Sequence, residues 1–384
     1  MIPAALGGLG TLEVIETWIA PCRLASPVSS SRHDHRERRI GFVRIRCSEG
    51  EGFGEIAAMD EVVGQDPTLG AVLDGIEHQW APRLFEAARA RGGACPPSHA
   101  VAVLGGSSAV DRQAAAAIEM ALLDAELRGA GLSLAQWLEV SEPAVPYGAL
   151  LGIPGDHQVA PYVERALSLF ERGATRLRMK VDPTWSAAPV RALRDAAPDA
   201  LLQADANGSL SGPEGWACLE ALDALGLACV EEPLGTSDLA AYAVASASLA
   251  TPLCLDESLT SPRVVRDALR YEACGVLCIK PGRLGGVRAA LRSLEDAVAG
   301  GVDGFIGGMF EAGLGRSVLG VLASHPGATL VSDVAGASTY LAEDPCGQEA
   351  PIGRAQPLHR GGGVGPWPDL GKLDARWEVS ASAL

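Results

Sequence analysis

The sequence predicts an α/β protein built on a (β/α)8-type barrel, with an N-terminal α+β capping domain that the C-terminal segment completes. Two observations support this fold class. Short apolar runs alternate with Ala- and Leu-rich segments of helical periodicity at a repeat of about 25 residues, which is typical of parallel βαβ units. The chain also has 384 residues, 48% of them hydrophobic, enough for two packed domains with a sizeable core.

The segment before the barrel, residues 1–140, has the mixed pattern of an α+β capping domain. Alternating polarity indicates strands, and apolar residues three and four apart indicate helices. The predicted elements are a strand at 11–20, a hairpin formed by 38–47 and 52–57, and helices at 68–90 and 109–129. This pattern changes at Val145, where the βα repeat begins.

Eight apolar runs are predicted to be the barrel strands, within residues 141–355. They are Val145–Ile153, Arg176–Val181, Leu201–Asp205, Ala228–Leu234, Pro252–Glu257, Gly275–Lys280, Gly304–Met309 and Thr329–Val334. Eight such units close naturally into a barrel whose chemistry lies at the carboxyl ends of the strands. The remaining segment, 356–384, begins with a Gly- and Pro-rich stretch and is expected to return to the cap.

Composition excludes several classes of partner. A net charge of -16 and a pI near 4.9 argue against nucleic acid and anionic membranes. Nine cysteines without a CxxC pair indicate buried, reduced thiols. Glu13 and Glu16 interrupt the N-terminal apolar stretch, which has no basic segment before it, so neither a signal peptide nor a membrane helix is expected. We therefore expect a cytoplasmic protein.

Three carboxylates lie at the ends of three successive predicted strands. Asp205, Glu231 and Asp256 are 26 and 25 residues apart, and each lies in an apolar run. A single carboxylate at a strand end is more often a helix cap or an ion-pair partner. Three such charges in one barrel mouth would repel one another strongly, and a divalent cation resolves that repulsion. Their hard oxygen ligands suit Mg2+.

Lysine is rare in this chain, and two of its lysines end predicted strands. The sequence has only Lys180, Lys280 and Lys372, and the other 28 of its 31 basic residues are Arg. Arg is effectively never deprotonated in proteins, whereas Lys beside a metal and a second cation can be. Lys180 and Lys280 are therefore candidate acid–base residues. The alternative is that both are structural ion-pair partners.

The order Lys180, Asp205, Glu231, Asp256 and Lys280 resembles the muconate-lactonizing subgroup of the enolase superfamily. The flanking motifs that carry the resemblance are LRMK at 177–180, ADAN at 204–207, VEEPL at 230–234, LDESL at 255–259 and IKPGRLGG at 279–286. Residues 307–316 and 145–153 resemble the branch that contains o-succinylbenzoate synthases and N-succinylamino acid racemases. No His is present near the predicted seventh strand, unlike in the mandelate-racemase subgroup.

The resemblance implies a function and a set of roles. Asp205, Glu231 and Asp256 would hold one Mg2+, and Lys180 would remove the proton α to the carboxylate of a small substrate. Lys280 would stabilise the enediolate in a dehydratase, or act as the opposite-face base in a racemase. The implied activity is a carbon–oxygen lyase, o-succinylbenzoate synthase of menaquinone biosynthesis. Members of the family are often homo-oligomers, so that assembly is also possible here.

Several activities stay open at this point. N-succinylamino acid racemase and muconate-type cycloisomerase are alternatives, and so is an inactive barrel used as a binding scaffold. A dipeptide epimerase is disfavoured because residues 332–334 read Ser-Asp-Val, without an Asp-x-Asp motif.

The predicted substrate contacts include two departures from the family. Residue 178 is Arg where the family usually has Lys; residues i and i+2 share a strand face, so Arg178 can still place a cation beside Lys180. Leu150 stands where members with racemase activity tend to have a small polar residue. The other predicted contacts are Asn207, Gly307, Gly308 and Met309.

The segment Ser26–Arg39 is expected to be the loop that closes over the substrate. It contains His33 and His35, which could ligate a metal, although a solvated loop is the simpler interpretation.

Overall fold

A four-stranded antiparallel sheet opens the chain in the computed structural model, which describes residues 6–29 and 34–383. Its strands are β1 (Leu12–Ser29), β2 (Asp34–Cys47), β3 (Gly50–Ile56) and, from the far end of the chain, β13 (Asp374–Ser380). Their order is β13-β1-β2-β3, and β13 pairs antiparallel with β1. The C-terminal segment therefore returns to the cap, as the fold class predicts.

Helices cover one face of this sheet. They are α1 (Leu69–Gly75), α2 (Ala81–Arg89), α3 (Ala109–Gly129) and α4 (Leu134–Trp137), with a π-helical turn at Ile76–Trp80 joining the first two. Ser108 caps α3 through a reciprocal bond pair with Asp111, which explains where this helix begins. Strand β3 approaches α3 closely, since a Cβ on Gly54 would lie 1.9 Å from the Ala117 carbonyl oxygen.

Seven parallel strands form the barrel sheet. They are β5 (Gly148–Leu151), β6 (Arg176–Lys180), β7 (Leu202–Asp205), β8 (Val230–Glu231), β9 (Leu253–Leu255), β10 (Val276–Ile279) and β11 (Asp303–Ile306). They pair in chain order. The helices between and after them are α5 (Val159–Glu171), α6 (Ala187–Ala196), α7 (Gly212–Asp223), α8 (Leu239–Ser248), α9 (Pro262–Arg270), α10 (Pro281–Leu284), α11 (Val287–Gly300) and α12 (Gly313–Leu322).

The predicted eighth strand, Thr329–Val334, is not a strand, so that prediction was wrong. The segment still bridges β11 and β5, because Leu330 N donates to the Gly304 oxygen and Gly148 N donates to the Ser332 oxygen. The Ser332 hydroxyl, rather than a backbone carbonyl, accepts the Ile306 N–H. Because a side chain takes the place of a backbone acceptor here, the regular ladder of interstrand hydrogen bonds is interrupted. The barrel therefore closes through an irregular segment.

The predicted first strand divides in two. Its beginning forms β4 (Ala144–Pro146), which pairs with β12 (Ala355–Pro357), and its remainder is β5. The domain boundaries at 140 and 355 stay predictions. Within the described parts of the chain, no helix is both long and apolar enough to cross a bilayer.

Buried polar contacts join the cap to the barrel. The Glu55 carboxylate on β3 accepts the N–H groups of Ala312 and Gly315 at the start of α12, at 2.7 and 2.8 Å. In a second contact, Arg283 of α10 in the barrel donates to both carboxylate oxygens of Asp66 in the cap. These contacts hold the cap over the carboxyl ends of the barrel strands.

Candidate active site

The predicted catalytic and metal-binding side chains meet at the carboxyl end of the barrel. Lys180, Asp205 and Glu231 are the last residues of β6, β7 and β8, while Asp256 and Lys280 directly follow β9 and β10. Lys180 pairs in register with Asp205, and Asp205 pairs with Glu231. All five side chains are buried. The structure thus places these five residues at the ends of neighbouring strands, and their catalytic and metal-binding roles stay predictions.

Each of the three carboxylates contacts a cation. Lys180 Nζ donates to Asp205 Oδ2 at 2.6 Å, and Lys280 Nζ donates to Asp256 Oδ2 at 2.7 Å. Arg178 Nη1 donates to Glu231 Oε1 at 2.9 Å and lies 3.6 Å from Asp205 Oδ2. Arg178 therefore places a second cation next to Lys180, as its position two residues earlier on the same strand predicts.

The charges in the cluster shift one another's titration. Burial raises the pKa of Glu231, and the nearby Asp205 and Asp256 add to that shift while Arg178 opposes it. For Asp256, burial disfavours ionisation, but Lys280 and Arg283 outweigh it and hold its pKa well below the usual range. For Lys280, burial disfavours the ammonium, yet Asp256 raises its pKa above the ordinary value. Lys280 is thus held as a cation.

A cavity of about 460 Å³ opens above these residues. Both predicted catalytic lysines, Lys180 and Lys280, line it. So do five of the six predicted substrate contacts, namely Leu150, Arg178, Asn207, Gly308 and Met309. Gly307 lies behind the cavity wall instead, where an added Cβ would be 2.9 Å from Lys280 Cε and 2.5 Å from Cys278 Sγ. Asp256 also reaches the cavity wall.

The cap supplies one side of the cavity. His35, Met59 and Gln65 line it together with the barrel residues. The predicted closing loop Ser26–Arg39 is partly strand, since β1 extends to Ser29 and β2 begins at Asp34. His33 lies outside the described residues, so neither the solvated-loop interpretation nor the alternative of metal ligation by His33 and His35 is tested. His35 Nδ1 lies 3.0 Å from Glu61 Oε1.

Sequence reasoning missed two acidic residues of the cavity wall. Glu232 and Glu257 immediately follow predicted metal ligands in the sequence, and that adjacency could have identified them. Burial raises the pKa of Glu232 to about 8, and Glu257 adds to that shift. Glu257 Oε1 accepts a hydrogen bond from Asn207 Nδ2 at 2.8 Å.

Backbone strain concentrates at the same place. Among the described non-glycine residues with left-handed backbone, Asn207 (φ 46), Glu232 (φ 40) and Phe310 (φ 59) line the cavity. Such conformations persist only where the surrounding structure stabilises them, and they are frequent at functional sites.

Asp333 was also missed as a site residue. It lies on the irregular segment that closes the barrel and binds both Arg176 and Arg178, the latter through Nη2 and Oδ2 at 3.0 Å. Burial disfavours ionisation of Asp333, but these two guanidinium groups hold its pKa below the ordinary value. The sequence contained no periodic signal for this residue, because the segment that carries it is irregular.

Comparison with known proteins identifies the family. Residues 161–364 match the enolase C-terminal domain-like family, and residues 14–138 match the N-terminal domain of mandelate racemase and muconate lactonizing enzyme. The chain belongs to the enolase superfamily. The resemblance read from the motifs is therefore confirmed at this level.

Individual members of the superfamily are similar over most of their length. An N-succinylamino acid racemase from an Amycolatopsis species is 32% identical over 353 residues, which cover 90% of this chain and 93% of the relative. An o-succinylbenzoate synthase from Geobacillus kaustophilus is 31% identical, with 84% of each chain covered. Among solved structures, a probable mandelate racemase from Alicyclobacillus acidocaldarius superposes with a TM-score of 0.85 at 29% identity, covering 96% of this chain and 99% of that one.

Enolase-superfamily members generally depend on Mg2+, and the donor set here fits that ion. The three buried carboxylates offer hard oxygen ligands from neighbouring strands. Burial and the neighbouring carboxylates raise the pKa of Glu231, so added positive charge at this position would favour its ionised form. The three carboxylates do not all converge on one point. Ligand atoms of Glu231, Asp256 and Cys278 lie within 4.8 Å of one another, whereas Asp205 instead accepts hydrogen bonds from Lys180 Nζ and from the backbone N–H of Asn207.

Proposed function

We propose that this protein is a Mg2+-dependent lyase that removes the proton α to the carboxylate of a small substrate, acting as an o-succinylbenzoate synthase in menaquinone biosynthesis. The observation that carries the proposal is that Lys180 and Lys280, on strands four positions apart in the sheet, face one cavity and each contact a buried carboxylate. A base on one side of the substrate's α carbon and a cation on the other suit removal of the α proton and stabilisation of the negative charge that develops.

Asp205, Glu231 and Asp256 are the proposed holders of the cation. Mg2+, when bound, would supply Lewis-acid stabilisation of charge on the substrate carboxylate. Arg178 and Arg283 would remain beside the carboxylates, because their guanidinium groups stay charged and bond to Glu231 and Asp256.

Lys180 is the proposed base. Its Nζ lies at the cavity wall, where it donates to Asp205 and, at 2.7 Å, to Asn207 Oδ1. To accept a proton, Lys180 must be a neutral amine whose lone pair points to the α carbon of the substrate, and a shift of Nζ away from Asn207 Oδ1 would leave Asn207 to orient the substrate. Lys280 has the complementary role: its raised pKa keeps it an ammonium, placed to stabilise negative charge that develops on the substrate.

The shape of the cavity supports a substrate with an apolar ring as well as a carboxylate. A volume of about 460 Å³ lies within the range of small-molecule pockets. Leu150, Met309 and Phe310 contribute apolar wall, while Lys180 and Lys280 supply charge. An ammonium at Lys280 could also face the ring in a cation–π contact.

A second candidate activity is N-succinylamino acid racemisation. It is supported by the pair of lysines at one cavity and by the similarity to the Amycolatopsis racemase over 90% of this chain. In that reaction each lysine would exchange the α proton of one enantiomer. Leu150 in the cavity wall favours the dehydratase, because the racemase branch tends to have a small polar residue there.

Turnover of the cyclohexadiene precursor of o-succinylbenzoate, followed in the ultraviolet with Mg2+ present, tests the proposal. Lys180→Arg and Lys280→Arg should each lower kcat by about 10²–10⁴-fold. Lys372→Arg is the matched control, because this exposed lysine pairs only with surface Glu343 among the contacts described, and it should keep wild-type turnover.

The outcomes separate the candidates. No turnover by folded, Mg2+-loaded wild type rejects the dehydratase. Exchange of the α proton of N-succinylamino acids in D2O, lost for one enantiomer in Lys180→Arg and for the other in Lys280→Arg, would then establish the racemase. An inactive scaffold predicts neither turnover nor exchange, and no Mg2+-dependent stabilisation.

A further inference from the structure

Cys278 is a buried thiol directly beside the candidate active site. It lies on β10 two residues before Lys280, so both side chains are on the same face of the strand. Only 1% of Cys278 is exposed, and it packs with Cys229, Cys254 and Phe305 inside the barrel. Neither the proton-transfer chemistry nor the proposed Mg2+ ligands use this thiol.

The Cys278 sulfur lies close to two of the carboxylates. Cys278 Sγ and carboxylate oxygens of Glu231 and Asp256 all lie within 4.8 Å of one another. Two ligands of a tetrahedral metal with bonds of about 2.1 and 2.3 Å are separated by roughly 3.6 Å. Side-chain shifts of about 1 Å would therefore close the three atoms around one ion. The ligands come from the ends of neighbouring strands, whose backbones are held in place by pairing.

Thiolate changes which metal this cluster prefers. Mg2+ takes oxygen ligands, whereas Zn2+ and Cd2+ accept sulfur together with carboxylate oxygen. The cluster of Glu231, Asp256 and Cys278 has this mixed character, while Asp205 bonds to Lys180. An all-oxygen set and a mixed oxygen–sulfur set thus share two carboxylates.

We infer that Cys278 makes the barrel mouth a site for thiophilic divalent ions, with Glu231, Asp256 and the Cys278 thiolate as its three protein ligands. The inference rests on the carboxylate site of the proposed function and adds a sulfur ligand to it. On binding, the S–H bond breaks, a sulfur–metal bond forms and one proton leaves to solvent, without any oxidant. Zn2+ or Cd2+ at this position excludes Mg2+, since both ions need Glu231 and Asp256.

Existing ion pairs do not block the site. Lys280 Nζ and Arg283 Nη1 donate to the two oxygens of Asp256, at 2.7 Å each. Arg178 Nη1 and Gln203 Nε2 donate to the two oxygens of Glu231. A carboxylate has about four lone-pair positions, so a metal can bind beside these donors. The same ion pairs surround the proposed Mg2+ site. The thiol therefore changes which metal ion the site prefers and does not change how easily an ion reaches it.

Titration of the metal-free, full-length protein with Cd2+ tests the inference, with the thiolate-to-cadmium charge-transfer band in the ultraviolet as the readout. The band should saturate at one equivalent in wild type. Cys278→Ser should lose it and weaken Cd2+ binding by about tenfold or more, while its Mg2+ affinity stays within about twofold of wild type. Cys254→Ser is the matched control, because this thiol on neighbouring β9 is equally buried but lies outside the 4.8 Å cluster. It should keep the band.

Three results would overturn the inference: no band in wild type, a band retained in Cys278→Ser, or a band lost in Cys254→Ser. If Cys278→Ser does not fold, X-ray absorption of the Zn2+-loaded Cys254→Ser protein decides. One sulfur at about 2.3 Å supports the site, and a shell of oxygen and nitrogen alone rejects it. Failure of the proposed function is distinguishable, because Mg2+ binding and substrate turnover do not require Cys278.

Discussion

Arg283 forms a buried contact that joins the cap to the proposed metal-binding carboxylates. Its Nε and Nη2 donate to Asp66 of the cap, and its Nη1 donates to Asp256 Oδ1 at 2.7 Å. Its side chain is 4% exposed and that of Asp66 is 6% exposed, so solvent screens the pair little. Replacing Arg283 by Met leaves Asp66 buried without its guanidinium, while Asp256 keeps Lys280.

The expected cost follows from that arrangement. Removing one partner of a buried ion pair costs about 3–5 kcal/mol, so Arg283→Met should lower the free energy of unfolding by this amount. Asp66→Asn keeps an oxygen acceptor and removes only the charge, so it should cost less, about 1–3 kcal/mol. The double variant should cost less than the sum of the two, with a coupling of about 2 kcal/mol.

Urea unfolding in EDTA, followed by tryptophan fluorescence, measures these values. Arg263→Met is the matched control, since Arg263 is an exposed residue of α9 whose pair with Asp267 is at the surface, and its effect should stay within about 0.5 kcal/mol. A loss below about 1 kcal/mol for Arg283→Met, or strict additivity with Asp66→Asn, would refute the reasoning.

Three further predictions concern packing, pH and metal binding. Gly54→Ala should destabilise the protein by about 1–3 kcal/mol or more, because the added Cβ would clash with the backbone of α3. Gly70→Ala is the control: its Cβ would have no other atom within 4 Å, so this variant should be neutral or slightly stabilised in thermal melts. Burial and then Glu311 raise the pKa of Glu55 to about 8, so the native state holds a proton that the unfolded state releases near pH 4.5. The free energy of unfolding should therefore fall as pH rises toward 8, and Glu311→Gln should reduce this fall by about 1–2 kcal/mol in urea titrations; an unchanged slope contradicts the assignment. Mg2+ at about 100 times its Kd should stabilise the wild-type protein by about 2.7 kcal/mol, measured as a rise in Tm. Asp205→Asn should show no such rise. An equal rise in both proteins would mean that Asp205 is not a ligand of the ion.

Much of the candidate site could be predicted from the sequence because its residues are tied to strand ends. Parallel strands bring their carboxyl ends to one edge, so Lys180, Asp205 and Glu231 had to lie near one another once the βα repeat was recognised. The rarity of Lys made Lys180 and Lys280 stand out against a background of Arg. Local sequence and periodicity were sufficient for these residues.

The irregular parts of the fold were harder to predict from the sequence. Thr329–Val334 has the apolar character of a strand, yet its Ser332 side chain replaces a backbone acceptor. Periodicity reports which face of a segment is buried, and it does not report which atom accepts a hydrogen bond. The role of Asp333 as a partner of two arginines was missed for the same reason.

By itself, the sequence determined the βα order, the positions of five charged residues at strand ends and the family of the chain, since each depends on residue type and spacing. Only the tertiary structure decided that Arg283 joins Asp66 to Asp256 and that Cys278 lies among the carboxylates. Arg283 and Asp66 are 217 positions apart in the chain. Contacts of this kind depend on how the cap lies on the barrel and on how side chains fill the barrel interior, and local patterning along the chain does not encode either one directly.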